Sequence, residues 1–232
     1  MVKEAYNFSA PPLLLGAALL LLGWDYRLTV WAGGICIFLG AFVLFFFRDP
    51  ERTPPGDPDA VVAPADGRVT AIVDEPFEGR PGKRVSIFLS VWDVHVNRAP
   101  AAGRIRKVEY RRGRFHAAMR ARASEENEQN VFYLETERGE MAFKQIAGWI
   151  ARRVVSWKAP GDSVDAGERI GMIRFGSRMD VWLPPEADIV VRKGQFVAAG
   201  SSTLARWRDA RVVAGAGSVG GLRNAKAARR EA

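Results

Sequence analysis

The longest unbroken apolar stretch runs from Leu28 to Phe47, twenty residues without a charge. As a helix it measures about 30 Å, the hydrocarbon thickness of a bilayer. A shorter apolar run, Ala10 to Gly23, precedes it and gives about 21 Å at the same rise. Trp24-Asp25-Tyr26-Arg27 joins the two as a polar turn with interfacial aromatics. The pattern predicts an α-helical membrane hairpin over residues 1–48. A cleaved leader over Met1 to Gly23 is the competing reading; no small-x-small site follows the run and a second span comes at once. Four prolines between Pro50 and Pro58 then predict a linker over 49–59 that cannot continue the helix.

From Ala60 the pattern changes to short Val- and Ile-rich segments broken by Gly or Asp-Gly. They are Val61-Val62, Val69–Val73, Val85–Val91, Ile105–Tyr110, Val131–Thr136, Ile170–Phe175, Met179–Leu183 and Ile189–Val191. The spacing predicts a mostly β domain over 60–206. Phe143–Trp157 fits a short amphipathic helix as well as a strand. Two segments, Gly161–Gly167 and Gly194–Gly200, share the pattern G-x-x-V-x-A-G. Such half-motifs resemble those of barrel-sandwich hybrid domains, small β sandwiches built from two similar hairpin sets. Residues 207–232 are rich in Gly, Ala and Arg and predict a basic, disordered tail.

Charge narrows the compartment and partners. The chain carries a formal charge of +8, so it favours polyanionic neighbours. Arg104, Arg106, Lys107, Arg111, Arg112 and Arg114 crowd one stretch; with a membrane hairpin beside them and no nucleic-acid signature, membrane lipid is the expected partner. Arg48 and Arg52 follow the second span and Lys3 precedes the first, which places both ends, and the β domain, on the cytoplasmic side of the cell membrane. A single cysteine, Cys36, lies inside the apolar run, and there are two histidines, His95 and His116. That excludes a disulfide framework and leaves no set of metal ligands.

The candidate chemistry sits in four ordered segments: Pro64-Ala65-Asp66-Gly67-Arg68-Val69, Phe88 to Pro100 with Asp93-Val94-His95-Val96-Asn97-Arg98 inside it, Ala123-Ser124-Glu125-Glu126-Asn127-Glu128, and Gly200-Ser201-Ser202. Alone, the Gly-Ser step reads as a polar turn. Together the segments resemble the phosphatidylserine decarboxylase proenzymes, in the short form that ends in a Gly-Ser-Ser cleavage motif. The resemblance spans about Pro50 to Arg206.

The resemblance implies that the chain cuts itself between Gly200 and Ser201. Gly200 leaves its carbonyl open and tolerates a strained backbone angle. The Ser201 hydroxyl attacks that carbonyl and converts the peptide bond to an ester. Loss of the Ser201 α-proton expels the ester, and the dehydroalanine hydrolyses to ammonia and a pyruvoyl group. The expected products are a large chain, 1–200, and a small chain, 201–232. The pyruvoyl group would form a Schiff base with phosphatidylserine and accept the electron pair released with carbon dioxide, yielding phosphatidylethanolamine without metal or pyridoxal phosphate.

His95 is the expected base and proton donor, and Asp66 resembles the family aspartate that orients the histidine. Long-form members carry a second histidine three positions later, where this chain has Arg98. Either His95 serves both steps or Arg98 binds an anion. Asn127 and Glu128 line the site in one reading and form a solvated acidic loop in the other; His116 ranks below His95. A membrane-anchored adaptor or a carrier module is the alternative class, although neither repeat holds a modifiable lysine at its tip. Assembly beyond the two cleaved chains stays open.

Overall fold

The computed structural model describes residues 2, 4–114, 116, 123–148, 153–174 and 177–208. Lys3, Phe175, Trp149–Arg152 and the expected tail from residue 209 onward lie outside the described residues.

Two antiparallel helices open the chain, α1 (Glu4–Leu22) and α2 (Arg27–Phe46). Both are long and apolar enough to cross a membrane. Helix α1 starts six residues before the apolar run, because helical backbone is not interrupted by the polar residues ahead of Ala10, and it holds Pro11 and Pro12 inside. The helices approach closely at glycines: a Cβ at Gly16 would stand 2.9 Å from the Gly33 carbonyl oxygen. Small residues at a crossing are what lets two apolar helices pack without a hydrophobic driving force between them.

The remaining chain is mostly β, as its Val/Ile segments predict. One curled sheet of eight strands has the order β13 (Phe196–Val197), β2 (Gly67–Asp74), β3 (Lys83–Leu89), β11 (Ser177–Leu183), β7 (Gly139–Ala147), β6 (Gln129–Thr136), β5 (Gly103–Arg111) and β9 (Ser163–Val164). Two three-stranded sheets complete the domain. In one, β14 (Thr203–Trp207) lies between β1 (Ala60–Val62) and β12 (Ala187–Ile189); in the other, β10 (Arg169–Ile173) lies between β4 (Val96–Arg98) and β8 (Val154–Ser156). A single short helix, α3 (Ala123–Glu126), precedes β6. The described part of Phe143–Trp157 is strand, in β7 and β8, and not helix. Antiparallel pairing on both flanks fixes it: β7 pairs with β6 and β11, and β8 with β10.

The core lies inside the curl, built from alternating side chains such as Val85, Ile87, Leu89, Phe132, Leu134 and Val181, all at most 1 % exposed. A second, smaller cluster joins the end of α2 to the β domain: Phe46 and Phe47 pack with Val94, Val96 and Met172.

The two G-x-x-V-x-A-G segments occupy the two edges of the large sheet, since β9 pairs with β5 and β13 with β2. Their partners also repeat: Ala63-Pro64-Ala65-Asp66-Gly67-Arg68-Val69 matches Ala99-Pro100-Ala101-Ala102-Gly103-Arg104-Ile105. The hydrogen bonds match pair for pair. Gly194 N–H donates to Val69 O and Gly161 N–H to Ile105 O, each at 2.7 Å; Gly200 N–H donates to Ala63 O and Gly167 N–H to Ala99 O, each at 2.8 Å. The Arg68 side chain donates to Gly194 O and that of Arg104 to Gly161 O, both at 3.1 Å. The domain therefore holds two quasi-equivalent halves, and the curl brings their terminal glycines together: a Cβ at Gly200 would lie 3.3 Å from Gly167 Cα.

Candidate active site

The turn that carries Gly200-Ser201 follows β13 and leads into β14. Gly200 has φ +72°, a left-handed conformation that glycine adopts without the cost borne by other residues. Ser201 and Ser202 N–H groups both donate to Ala198 O, at 3.3 and 3.0 Å. The Ser202 hydroxyl accepts the Ala198 N–H at 2.9 Å, and Ser202 O accepts the Ala63 N–H at 2.8 Å. The turn is thus held on both sides of the Gly200–Ser201 bond.

Asp66 supports the same turn. Its Oδ1 accepts the Ala199 N–H at 2.7 Å and its Oδ2 accepts Arg52 Nη2 at 2.9 Å, with the residue only 4 % exposed. Burial pushes its carboxyl above the usual carboxylate range, while the Ala199 N–H and the Arg52 cation act in the opposite direction. Asp66 does not bond to a histidine. His95 Nδ1 meets the Asp93 carbonyl at 2.9 Å instead.

His95 is 1 % exposed and lies against the Phe46 ring at a centroid distance of 4.2 Å. A carbonyl only accepts, so Nδ1 carries the proton in this contact. Nε2 is left with its lone pair, buried and without a hydrogen-bond partner among the described residues. Burial, helped by the Arg48 cation, pushes the imidazole down to about 4. It is therefore neutral at pH 7, a buried base with one open nitrogen. Arg48 acts electrostatically on both Asp66 and His95, so the two belong to one neighbourhood without touching through a hydrogen bond.

Arg98 is 5 % exposed, and its guanidinium donates to Gly167 O at 2.9 Å, Pro50 O at 3.0 Å and Asp49 Oδ1 at 3.1 Å. Its Cδ would stand 2.8 Å from a Cβ on Gly200, so its stem lines the cleavage turn.

Asn127 and Glu128 are 1 % and 6 % exposed, which removes the solvated-loop reading. Asn127 Nδ2 donates to Ala147 O at 2.7 Å and to His116 O at 2.8 Å, and its Oδ1 accepts the His116 N–H at 2.8 Å. Glu128 accepts the Val154 N–H at 3.2 Å. Both pin chain segments together at the start of β6, and neither bonds to the Gly200–Ser201 turn. His116 reaches Glu126 at 2.9 Å from a half-exposed position.

Sequence reasoning missed four residues that shape this site: Phe46, Asp49, Arg52 and Asp93. Asp93 lies inside a quoted segment, two residues before His95; the other three lie at the end of the membrane run and in the linker, where local pattern assigns no chemistry. Among the described residues no group of three or more His, Cys, Asp or Glu is arranged to hold a metal.

A mostly β domain behind two apolar helices brings together a glycine turn, a buried carboxylate and a neutral buried histidine, a set of groups suited to an enzyme. The profile of the phosphatidylserine decarboxylase family matches residues 39–205. The chain is 54 % identical over 173 residues to the phosphatidylserine decarboxylase proenzyme of Solibacter usitatus, covering 75 % of this chain and 82 % of that protein. It is 48 % identical over 204 residues to the corresponding proenzyme of Salinibacter ruber, covering 84 % and 87 %. The chain belongs to the phosphatidylserine decarboxylase family and is a carboxy-lyase. The adaptor and carrier readings fall with that assignment.

Proposed function

We propose that this chain is a proenzyme that cuts itself between Gly200 and Ser201, converts Ser201 to a pyruvoyl group, and decarboxylates phosphatidylserine to phosphatidylethanolamine at the cytoplasmic face of the cell membrane. The observation that carries the reading is the Asp66 carboxylate bonded to the Ala199 N–H, two peptides before the scissile bond. The matching position in the other half is Ala102.

In self-cleavage Asp66 fixes the Ala198–Ala199 peptide and Ala63 O the Ala199–Gly200 peptide, and the left-handed Gly200 presents its carbonyl to the Ser201 hydroxyl. The Ser201 Oγ–carbonyl bond forms as its proton leaves, and the Gly200–Ser201 C–N bond breaks, giving an ester. Removal of the Ser201 α-proton then breaks the Oγ–Cβ bond and releases Gly200 as a carboxylate. Water hydrolyses the remaining enamine, and ammonia departs. His95 Nε2, a buried lone pair that shares the Arg48 field with Asp66, is assigned the proton transfers.

The pyruvoyl group supplies a carbonyl that takes the substrate amine and accepts the electron pair freed with carbon dioxide. The residues suit it: His95 holds an unpartnered nitrogen in a buried site, neutral and able to return a proton to carbon. Phe46, at the end of α2, packs on His95 and ties it to the apolar hairpin. The two products of cleavage, 1–200 and 201–232, remain joined because β14 pairs with β1 and β12. The test is release of carbon dioxide from carboxyl-labelled phosphatidylserine in vesicles. Wild type should release it with no added cofactor, and Ser201→Ala should release none; equal release by both would end the proposal.

A further inference from the structure

The linker that leaves the membrane hairpin lies on the cleavage turn instead of spacing the domain from the membrane. Three of its side chains reach the turn through three different intermediaries. Arg52 Nη2 pairs with Asp66 Oδ2 at 2.9 Å, and Asp66 holds the Ala199 N–H. The Asp49 carboxylate is 7 % exposed and pairs with Arg98 at 3.1 Å and Arg169 at 2.6 Å. Arg98 in turn packs its stem against Gly200 and holds Gly167 O. Pro54 Cγ would stand 2.8 Å from a Cβ on Gly167, whose Cα sits beside Gly200. The linker therefore braces the Ala198–Ala199 peptide through Arg52 and the groups packed on Gly200 through Asp49 and Pro54, all within eight positions of the end of α2.

Resting on the self-cleavage reading above, we propose that Arg52 and Asp49 are positioning residues for self-cleavage, so that the proenzyme matures only once the membrane hairpin has delivered its linker onto the Gly200–Ser201 turn. The physical basis is the entropy of alignment: an intramolecular acyl shift depends on the hydroxyl meeting the carbonyl in one geometry. Without the linker the turn keeps its bonds to Ala63 and Asp66, but Asp66 and Arg98 lose the partners that fix them and gain freedom. Docking the linker removes that freedom on the Ala199 side through Arg52 and on the Gly167 side through Asp49. An Arg beside Asp66 also favours the charged carboxylate, against burial and against Asp93, and together with Arg48. Those four influences, with the Ala199 N–H, are the polar surroundings of Asp66.

The full chain, made by cell-free synthesis in the presence of phospholipid nanodiscs, gives the rate at which the small chain appears. Arg52→Gln and Asp49→Asn should each slow it by about tenfold or more, the loss of one interaction of ordinary strength in the aligned state, and Arg52→Lys should stay within about threefold of wild type. In Arg52→Gln the acid limb of the cleavage profile should also move to higher pH, since Asp66 loses a neighbouring cation; in Asp49→Asn it should stay in place. Wild-type rates in Arg52→Gln and Asp49→Asn would overturn the proposal. So would slow cleavage in Arg52→Gln with an unmoved pH limb and no recovery in Arg52→Lys, which is what simple damage to the fold produces. If wild type itself stays whole, the self-cleavage reading is what has failed.

Discussion

The two halves of the β domain have one scaffold and different contents. In one, Asp66 and Gly200-Ser201 face each other; in the other the same positions hold Ala102 and Gly167-Glu168. Gly167 has φ +79° against +72° for Gly200. Glu168 N–H donates to Asp165 O at 3.1 Å, as Ser201 N–H does to Ala198 O at 3.3 Å. Left-handed glycine and turn geometry are therefore common property of the halves and do not by themselves make a reactive bond. What separates them is a carboxylate on the preceding N–H, a hydroxyl after the glycine, and His95 nearby. The half that lacks the Asp and the Ser supports the other, with the Gly167 carbonyl held by Arg98 and its Cα packed on Gly200.

The largest effect that can break this comparison is expected at Gly200. Gly200→Ala places a Cβ in a left-handed backbone and 2.8 Å from Arg98 Cδ; self-cleavage should slow by about a hundredfold, equivalent to about 3 kcal/mol of misalignment. Gly167→Ala meets a comparable strain against Pro54 but sits beside no reacting bond. It should lower the melting temperature while slowing cleavage less than Gly200→Ala does. Densitometry of the small chain and a thermal melt on the same samples separate the two.

Next comes Asp66. Asp66→Asn keeps an acceptor for the Ala199 N–H and loses the charge that pairs with Arg52, so cleavage should slow by about tenfold, the scale of one charge-assisted hydrogen bond. A wild-type rate would mean that the carboxylate is not what distinguishes the halves.

His95 gives a smaller, pH-dependent effect on stability. Its folded pKa, about 4, lies below the ordinary 6.5, so the unfolded chain takes up a proton that the folded chain refuses. Stability is intact above about pH 6.5 and is lost as pH falls toward 4, by about 3 kcal/mol in all at about 1.4 kcal/mol per pH unit. His95→Gln should flatten that part of a denaturation midpoint plotted against pH, and an unchanged slope would show that the imidazole is not held neutral. The smallest effect is a null one. Glu168→Ser rebuilds Gly-Ser in the Gly167 half but leaves Ala102 opposite, so mass analysis should find no cut after Gly167.

How far the sequence speaks for itself follows the range of the interactions involved. The two N-terminal helices were legible as long uncharged runs, and the strands because Val and Ile segments are broken by turn residues. Gly200-Ser201 stood out through its company with the Asp66 and His95 segments. Phe143–Trp157 stayed ambiguous because a strand buried on both faces loses its alternation; β7 is buried at every position from Met141 to Ala147. The burial of Asn127 and Glu128, the Asp93 carbonyl under His95, and the Arg52–Asp66 and Asp49–Arg98 pairs depend on chain segments meeting in space, and no local pattern encodes them. The Pro-Ala-x-Gly-Arg match between residues 64–68 and 100–104 was visible in the letters, and it gains its meaning from the hydrogen bonds that the halves share.

Intact-mass measurement of the purified full chain bears most directly on the self-processing site. The account predicts two chains that part after Gly200, the smaller without a free amino terminus and with a pyruvoyl group in place of Ser201. A single chain of full mass, recovered folded from membranes, would contradict it.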